Sequence, residues 1–313
     1  MHQHWVPESY LRAWCDPASL HLQNPYVWRF SKDGSEVKSK SPKKLFRESN
    51  MYTFVDEKGR SNQSIEQGLS KLEDQFERLR RDEIMKCGLL TDEDKATLCL
   101  FVAAAHFRTQ RSRDHWKRQW TKVVGLGDQI KKHVESLSPE QKAELRDATL
   151  PPSGPSMSLE GIRLLAEQPL RVSPPVTTRE AELLSDMTIT ILCALDGPGF
   201  ITSDAPVVWW DLELYKLPRF WRHVDLGSPT IEVTMPISPC RFLILTHHGR
   251  ATEGYLPVPA NLEIGIKLID DVNRRTRFHC HDHFVSNSNA KKGIWFDPGT
   301  PRVGWQDEWR KER

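Results

Sequence analysis

Large apolar side chains recur at spacings of four and three along Ile65, Leu69, Leu72, Phe76 and Leu79, one stripe of an α-helix. Ser64 opens that stretch with Gln67 three residues on, which predicts a capping box at the helix start. Thr91 and Asp94 stand in the same relation before a second helix. Its Leu98–Ala105 stretch is apolar on every side and predicts the central core helix. The downstream half of that helix is expected to change character at Arg108–Arg118, a basic face punctuated by aromatics. Ser138-Pro139-Glu140-Gln141 begins another helix, with proline in the favoured first helical position.

A period of two replaces the helical one elsewhere. Tyr26–Phe30 alternates large apolar and polar residues and runs into Lys32-Asp33-Gly34-Ser35, which predicts a small hairpin. Met51–Val55 reads as a short strand. In the second half, Thr178–Ser185 is helical in pattern, and strands are expected at 188–195, 230–235 and 241–246. The turn at 196–199 predicts that Phe200–Asp204 and Val207–Trp210 form a hairpin.

The fold class that follows is α+β: a mainly helical N-terminal half with a short hairpin, packed on a β-rich C-terminal half. Pro151-Pro152-Ser153-Gly154-Pro155 breaks both periods. It divides the chain into parts 1–150 and 157–313, or stands as an exposed linker at 151–156 within one continuous domain. No internal repeat is present.

Composition narrows the class. The 313 residues carry 44 basic and 42 acidic side chains, a formal charge of +2, so any nucleic-acid footprint must be local. The six cysteines are scattered singly, without a disulfide or zinc spacing, and read as reduced, mostly buried thiols. The opening residues lack a secretory pattern, which reads as cytoplasmic. The longest apolar run is far below the roughly 20 residues a membrane helix needs, so no membrane partner is expected.

The opening pattern His4-x-x-Pro7-x-x-Tyr10-Leu11-x-x-Trp14 is followed in order by Trp28, Tyr52, Ser64-Ile65-Glu66 with Leu72-Glu73, and the Phe101 to Arg108-Thr109 helix. Thr202-Ser203-Asp204-x-Pro206 and Pro236-x-Ser238-Pro239 complete the series. Together these motifs resemble the uncharacterised family numbered 4238 among domains of unknown function, over most of the chain. The resemblance implies a unit of mixed α and β structure, largely in bacteria, and points to His4, Glu66, Arg108 and Asp204. It implies no settled activity. This chain has Gln110 where the family often has proline after Arg-Thr.

Three constellations bear chemistry. His4, Glu66, Arg108 and Asp204 would make a general acid–base set, and Glu66, Glu73 and Asp204 offer hard oxygen ligands for Mg²⁺, since Glu66 and Glu73 project from nearly one side of a helix. The plainer roles are a helix-dipole partner for Glu66 and a turn stabiliser for Asp204. Arg111, Arg113, Lys117 and Arg118 with Trp116 combine phosphate contacts with a stacking platform, as RNA or DNA binding requires; a solvated helix face gives the same pattern. His279, His281 and His283 would face one way on a strand as metal ligands, against adventitious surface histidines.

No phosphate loop, dinucleotide fingerprint or nucleophile elbow is present. The expected function is a nucleic-acid-directed hydrolase, a nuclease or toxin-like effector of bacterial defence or mobile elements. Its alternatives are a non-catalytic nucleic-acid or protein interaction module and a small-molecule or NAD-processing enzyme.

Overall fold

A computed structural model of the chain describes residues 2–49, 51–52, 54–55, 61–147, 157–194, 199–215, 225–247, 249, 252–259 and 261–296. The expected linker at 151–156 and most of the turn at 196–199 lie outside the described residues. In chain order the elements begin with β1 (His2–His4), α1 (Glu8–Leu11), β2 (Val27–Ser31), β3 (Val37–Lys40), β4 (Arg47–Ser49), β5 (Phe54–Val55) and β6 (Ser61–Asn62). Helices follow: α2 (Ser64–Asp82), α3 (Asp92–Phe107), α4 (Gln110–Ser136), α5 (Pro139–Asp147), α6 (Leu159–Glu167) and α7 (Ser173–Ser185). The remainder is β7 (Thr188–Ala194), β8 (Thr202–Ser203), β9 (Val208–Asp211), α8 (Leu212–Tyr215), β10 (Ile231–Ser238), β11 (Arg241–Thr246), β12 (Gly254–Val258), α9 (Glu263–His279) and β13 (His283–Ser286). The protein is α+β.

A five-stranded sheet in the order β12-β7-β11-β10-β9 forms the centre, antiparallel except where β12 runs parallel to β7. Both of its faces are covered, which is why these strands read as nearly continuous apolar runs. Ile189, Ile191, Val233, Met235, Leu243 and Leu245 face a cluster supplied by the opening segment, α2 and α3. Leu192, Phe242 and Ile244 face Leu268, Ile269 and Val272 of α9.

The two halves of the chain share structure. A second sheet, β3-β2-β13-β8, joins the N-terminal hairpin to strands from the far half. Tyr10 buries its ring and bonds through Oη to Thr202 Oγ1 at 2.6 Å and to the Pro236 carbonyl at 2.7 Å. Trp14 Nε1 donates to the Phe200 carbonyl at 2.8 Å. Each ring removes on the order of 150–250 Å² from water, roughly 4–6 kcal/mol as an upper bound. The opening segment is therefore an anchor between the halves.

Local readings fail where a neighbour competes. The Thr91–Asp94 capping box forms, but the one expected at Ser64 and Gln67 does not. Asn62 Oδ1 accepts the Ser64 amide at 2.8 Å and Gln63 becomes the N-cap, so the turn before the helix is closed by the asparagine. The core helix does not run on to Arg118. It ends at Phe107, and Thr109 turns extended (φ −67°, ψ 153°) so that its hydroxyl accepts the Ser112 amide and caps a new helix, α4. The expected hairpin at 200–204 and 207–210 is replaced: β8 pairs with β13 and β9 with β10.

Candidate functional site

Strand β1 brings His4 to a partly buried polar cluster. Its pairing with β4 sets His4 opposite Arg47 and Gln3 opposite Glu48. Gln3 is buried, and its Oε1 accepts the Tyr52 amide at 2.6 Å, which seats Tyr52 beside His4. Arg108 reaches the same place from the last turn of α3, because its residue closes that helix (φ −79°, ψ 0°). Its Nη2 donates to the His4 carbonyl at 2.8 Å and to Glu73 Oε1 at 2.7 Å, and its guanidinium stands 5.7 Å from the centre of the Tyr52 ring. Glu66 and Glu73, seven residues apart on α2, turn the same way, so both feel Arg108.

The Tyr52 hydroxyl and the Arg108 guanidinium partner one another, and His4 Nδ1 is buried without a hydrogen-bond partner. The Leu45 carbonyl stands by the imidazole and favours its protonated form. Burial holds His4 below the usual imidazole range, against the pull of Glu8, the Leu45 carbonyl and Glu73. Burial pushes Glu66 the other way, above the carboxylate range, with Arg108 opposing and Glu73 assisting. Burial also raises the Tyr52 phenol to about 12, with the adjacent Arg108 opposing. Arg108 pays a burial penalty that Tyr52 and Glu73 more than offset. Burial thus disfavours the charged form of both His4 and Glu66, and Arg108 and Glu73 act on both.

The order of motifs across the chain matches an entire family. Residues 2–291 fit the family described as Protein of unknown function (DUF4238). The chain belongs to it. No curated protein and no solved structure matches the chain. Gln110 is the first residue of α4, a position where a proline would need no amide partner.

Asp204 is not with His4, Glu66 and Arg108. It follows β8, where its carboxylate accepts the backbone amides of His281, Asp282 and His283 at 2.7, 2.7 and 2.9 Å. Burial raises its carboxyl while these three amides pull it down. Its work is to hold the turn into β13, 77 to 79 residues away, instead of a turn at its own position. The proposed Mg²⁺ set of Glu66, Glu73 and Asp204 is corrected accordingly: Glu73 is bound to Arg108 and Asp204 to the backbone. Among the described residues, the three side chains whose ligand atoms lie within 4.8 Å of one another are Asp204, His281 and Asp282. There both Asp204 oxygens are already engaged, and His281 Nδ1 meets Asp282 at 2.9 Å.

His279, His281 and His283 do not line one strand face. His279 ends α9, His281 lies in the turn and His283 starts β13. His279 is not a surface residue either: its ring stands edge-on to Trp210 at 5.7 Å, and burial, aided by Arg275, Arg111 and Lys32, lowers its pKa to about 3.

The basic run is split by the break at Arg108. Arg113 pairs with Glu48 and Asp114. Arg111, Lys117 and Arg118 are exposed on α4, as is His115. Trp116 packs its ring 6.0 Å from Phe107 and joins the cluster of Tyr52, Phe107 and Leu170, so it anchors α4. Tyr52 was missed as a site residue because its neighbours in sequence suggest only a strand; its role depends on Gln3 and Arg108, 49 residues before and 56 after. Among the described residues no helix is long and apolar enough to cross a membrane.

Proposed function

We propose that this protein is a nucleic-acid-directed hydrolase whose phosphodiester chemistry runs on His4 and Glu66. The observation that carries the reading is the buried, unpaired His4 Nδ1 in a cluster where Arg108 holds the His4 carbonyl, Glu73 and Tyr52 together. Buried polar groups are normally satisfied, so the open His4 Nδ1 calls for a polar group from outside. His4 Nδ1 takes the proton of the attacking hydroxyl or water, and the Glu66 carboxyl protonates the departing oxygen. The Arg108 guanidinium, exchanging its Tyr52 contact for substrate, donates to a phosphoryl oxygen. The exposed Arg111, Lys117 and Arg118, just beyond Arg108 on α4, supply backbone phosphate contacts. A place in bacterial defence or mobile elements belongs to this proposal by analogy.

The experiment is cleavage of labelled RNA and DNA by the purified protein, with Mg²⁺, Mn²⁺ or chelator. Cleavage that survives chelator and is lost in both His4→Ala and Glu66→Gln supports the assignment. Cleavage undiminished in those variants, or abolished by chelator, overturns it. The exposed basic residues of α4 favour a second reading, a non-catalytic RNA- or DNA-binding module. It is selected if the protein binds nucleic acid in a salt-sensitive way and cleaves none.

A further inference from the structure

On the far side of α2, three thiols meet around one guanidinium. Cys87 closes the short helical turn after α2 in the left-handed region, with φ +57°, a conformation that a non-glycine residue holds only when its surroundings impose it. Arg241, on β11, donates to the Cys87 sulfur at 3.5 Å and fastens that turn through the Ile84 and Met85 carbonyls at 3.2 and 2.9 Å. Directly opposite Arg241 in the ladder is Cys193 of β7. Cys240 precedes Arg241, with its sulfur 3.4 Å from Ser238 Oγ. Cys87 is exposed, Cys193 is buried and Cys240 lies between.

We propose that Cys87 is an oxidation site at which hydrogen peroxide or a related hydroperoxide forms a disulfide to Cys193. Redox-active cysteines combine access to solvent, a cationic neighbour and a second thiol in reach, and this cluster has all three. Arg241 gives the Cys87 sulfur anion a hydrogen-bond donor. The anion attacks one peroxide oxygen, the O–O bond breaks, Cys87 becomes a sulfenic acid, and the leaving hydroxide takes up the proton that the Cys87 thiol released, giving the first water. The Cys193 sulfur then attacks the Cys87 sulfur, forming the S–S bond and breaking S–O. The Cys193 proton and the departing hydroxide make water. Two thiols are oxidised and one peroxide is reduced to two waters.

The division of labour follows from burial. Burial raises the Cys193 thiol to about 11, with Arg241 opposing and Cys87 adding to the rise through its charge and a hydrogen bond, so Cys193 waits protonated as the resolving partner. Cys240 is engaged by Ser238, whose hydroxyl also accepts the Cys240 amide at 3.3 Å. Cys15, Cys99 and Cys280 are buried elsewhere and serve as internal controls. The bond ties the α2–α3 connection to the central sheet, a site separate from the His4 cluster.

The native full-length chain is treated with hydrogen peroxide, free thiols are alkylated, and peptides are mapped without reduction. The expected result is a cross-linked pair carrying Cys87 and Cys193, loss of alkylation at both, and recovery of both thiols with dithiothreitol. In Cys193→Ala, Cys87 persists as a sulfenic acid that dimedone labels. Because the wild-type map alone decides the matter, poor folding of that variant leaves the test intact. Full alkylation of Cys87 after peroxide overturns the proposal, as does a bond from Cys87 to Cys240 or to a second chain.

Discussion

The guanidinium of Arg108 donates to the Glu73 carboxylate at 2.7 Å, joining the end of α3 to the middle of α2 across 35 positions of sequence. Both partners are largely out of water, and the same Arg108 nitrogen also holds the His4 carbonyl. Removing one partner of a buried pair leaves the other uncompensated, which costs about 3 kcal/mol. Arg108→Met is expected to lower stability by about that amount in urea unfolding. Adding Glu73→Leu to it should recover part of the loss. A change under about 1 kcal/mol in the single variant would show the pair to be an exposed one in energetic terms.

Glu66 gives a stability–function conflict. Its folded pKa is raised above 4.5, so the native state prefers the protonated acid, and its contribution falls as pH rises through the folded value. Glu66→Gln copies the protonated form. The variant should therefore be at least as stable as wild type near neutral pH, with the difference vanishing in acid, while any cleavage activity is lost. Urea midpoints at both pH values check this, and a variant less stable than wild type at neutral pH contradicts it.

His279 makes the protein acid-sensitive. Its pKa falls from 6.5 in the unfolded chain to about 3 in the fold, so between those values the unfolded state binds the extra proton. Stability is lost as pH drops through that window, at up to roughly 1.4 kcal/mol per pH unit from this one group. His279→Gln should flatten the acid limb of the stability profile. An unchanged limb would mean that the imidazole stays neutral for no energetic reason.

Gln110→Pro should stabilise. Gln110 is the first residue of α4, and Thr109 before it is already extended at φ −67°, ψ 153°, the conformation that a following proline demands. The gain is about 0.4–1 kcal/mol from the narrowed unfolded state, read as a raised urea midpoint at constant slope. A loss would mean that the Gln110 amide or side chain is needed.

If α4 carries phosphate contacts, replacing Arg111, Lys117 and Arg118 by alanine should weaken RNA and DNA binding alike. The slope of log affinity against log salt should shrink by about one for each side chain removed. Replacing Arg113, which is bound to Glu48 and Asp114, should change the slope far less. Equal effects at all four positions would contradict the split seen on this helix.

Much of the site was legible in pieces. His4, Glu66, Glu73 and Arg108 stand out by residue type and motif, and α2 places its two glutamates on one side by period alone. Tyr52 was not legible, because its value depends on Gln3 capturing its amide and on Arg108 lying over its ring. Asp204 was legible as a polar position but not as a backbone anchor, since its partners lie 77 to 79 residues away.

The sequence by itself determined the helical stripe of α2, the apolar core of α3, the Thr91 cap, the first hairpin and the strands β7, β10 and β11. Each rests on side chains within a few positions of one another, where spacing and turn chemistry dominate. Only the tertiary structure decided where α3 stops, which strands β8 and β9 join, and that Asp204 departs from His4 while Glu73 joins it. Those outcomes are competitions between a local preference and a partner far along the chain, and the partner is absent from any window of sequence. The opening segment shows both levels: its aromatics announce a buried anchor, and the bonds of Tyr10 to Thr202 and Pro236 say what it anchors.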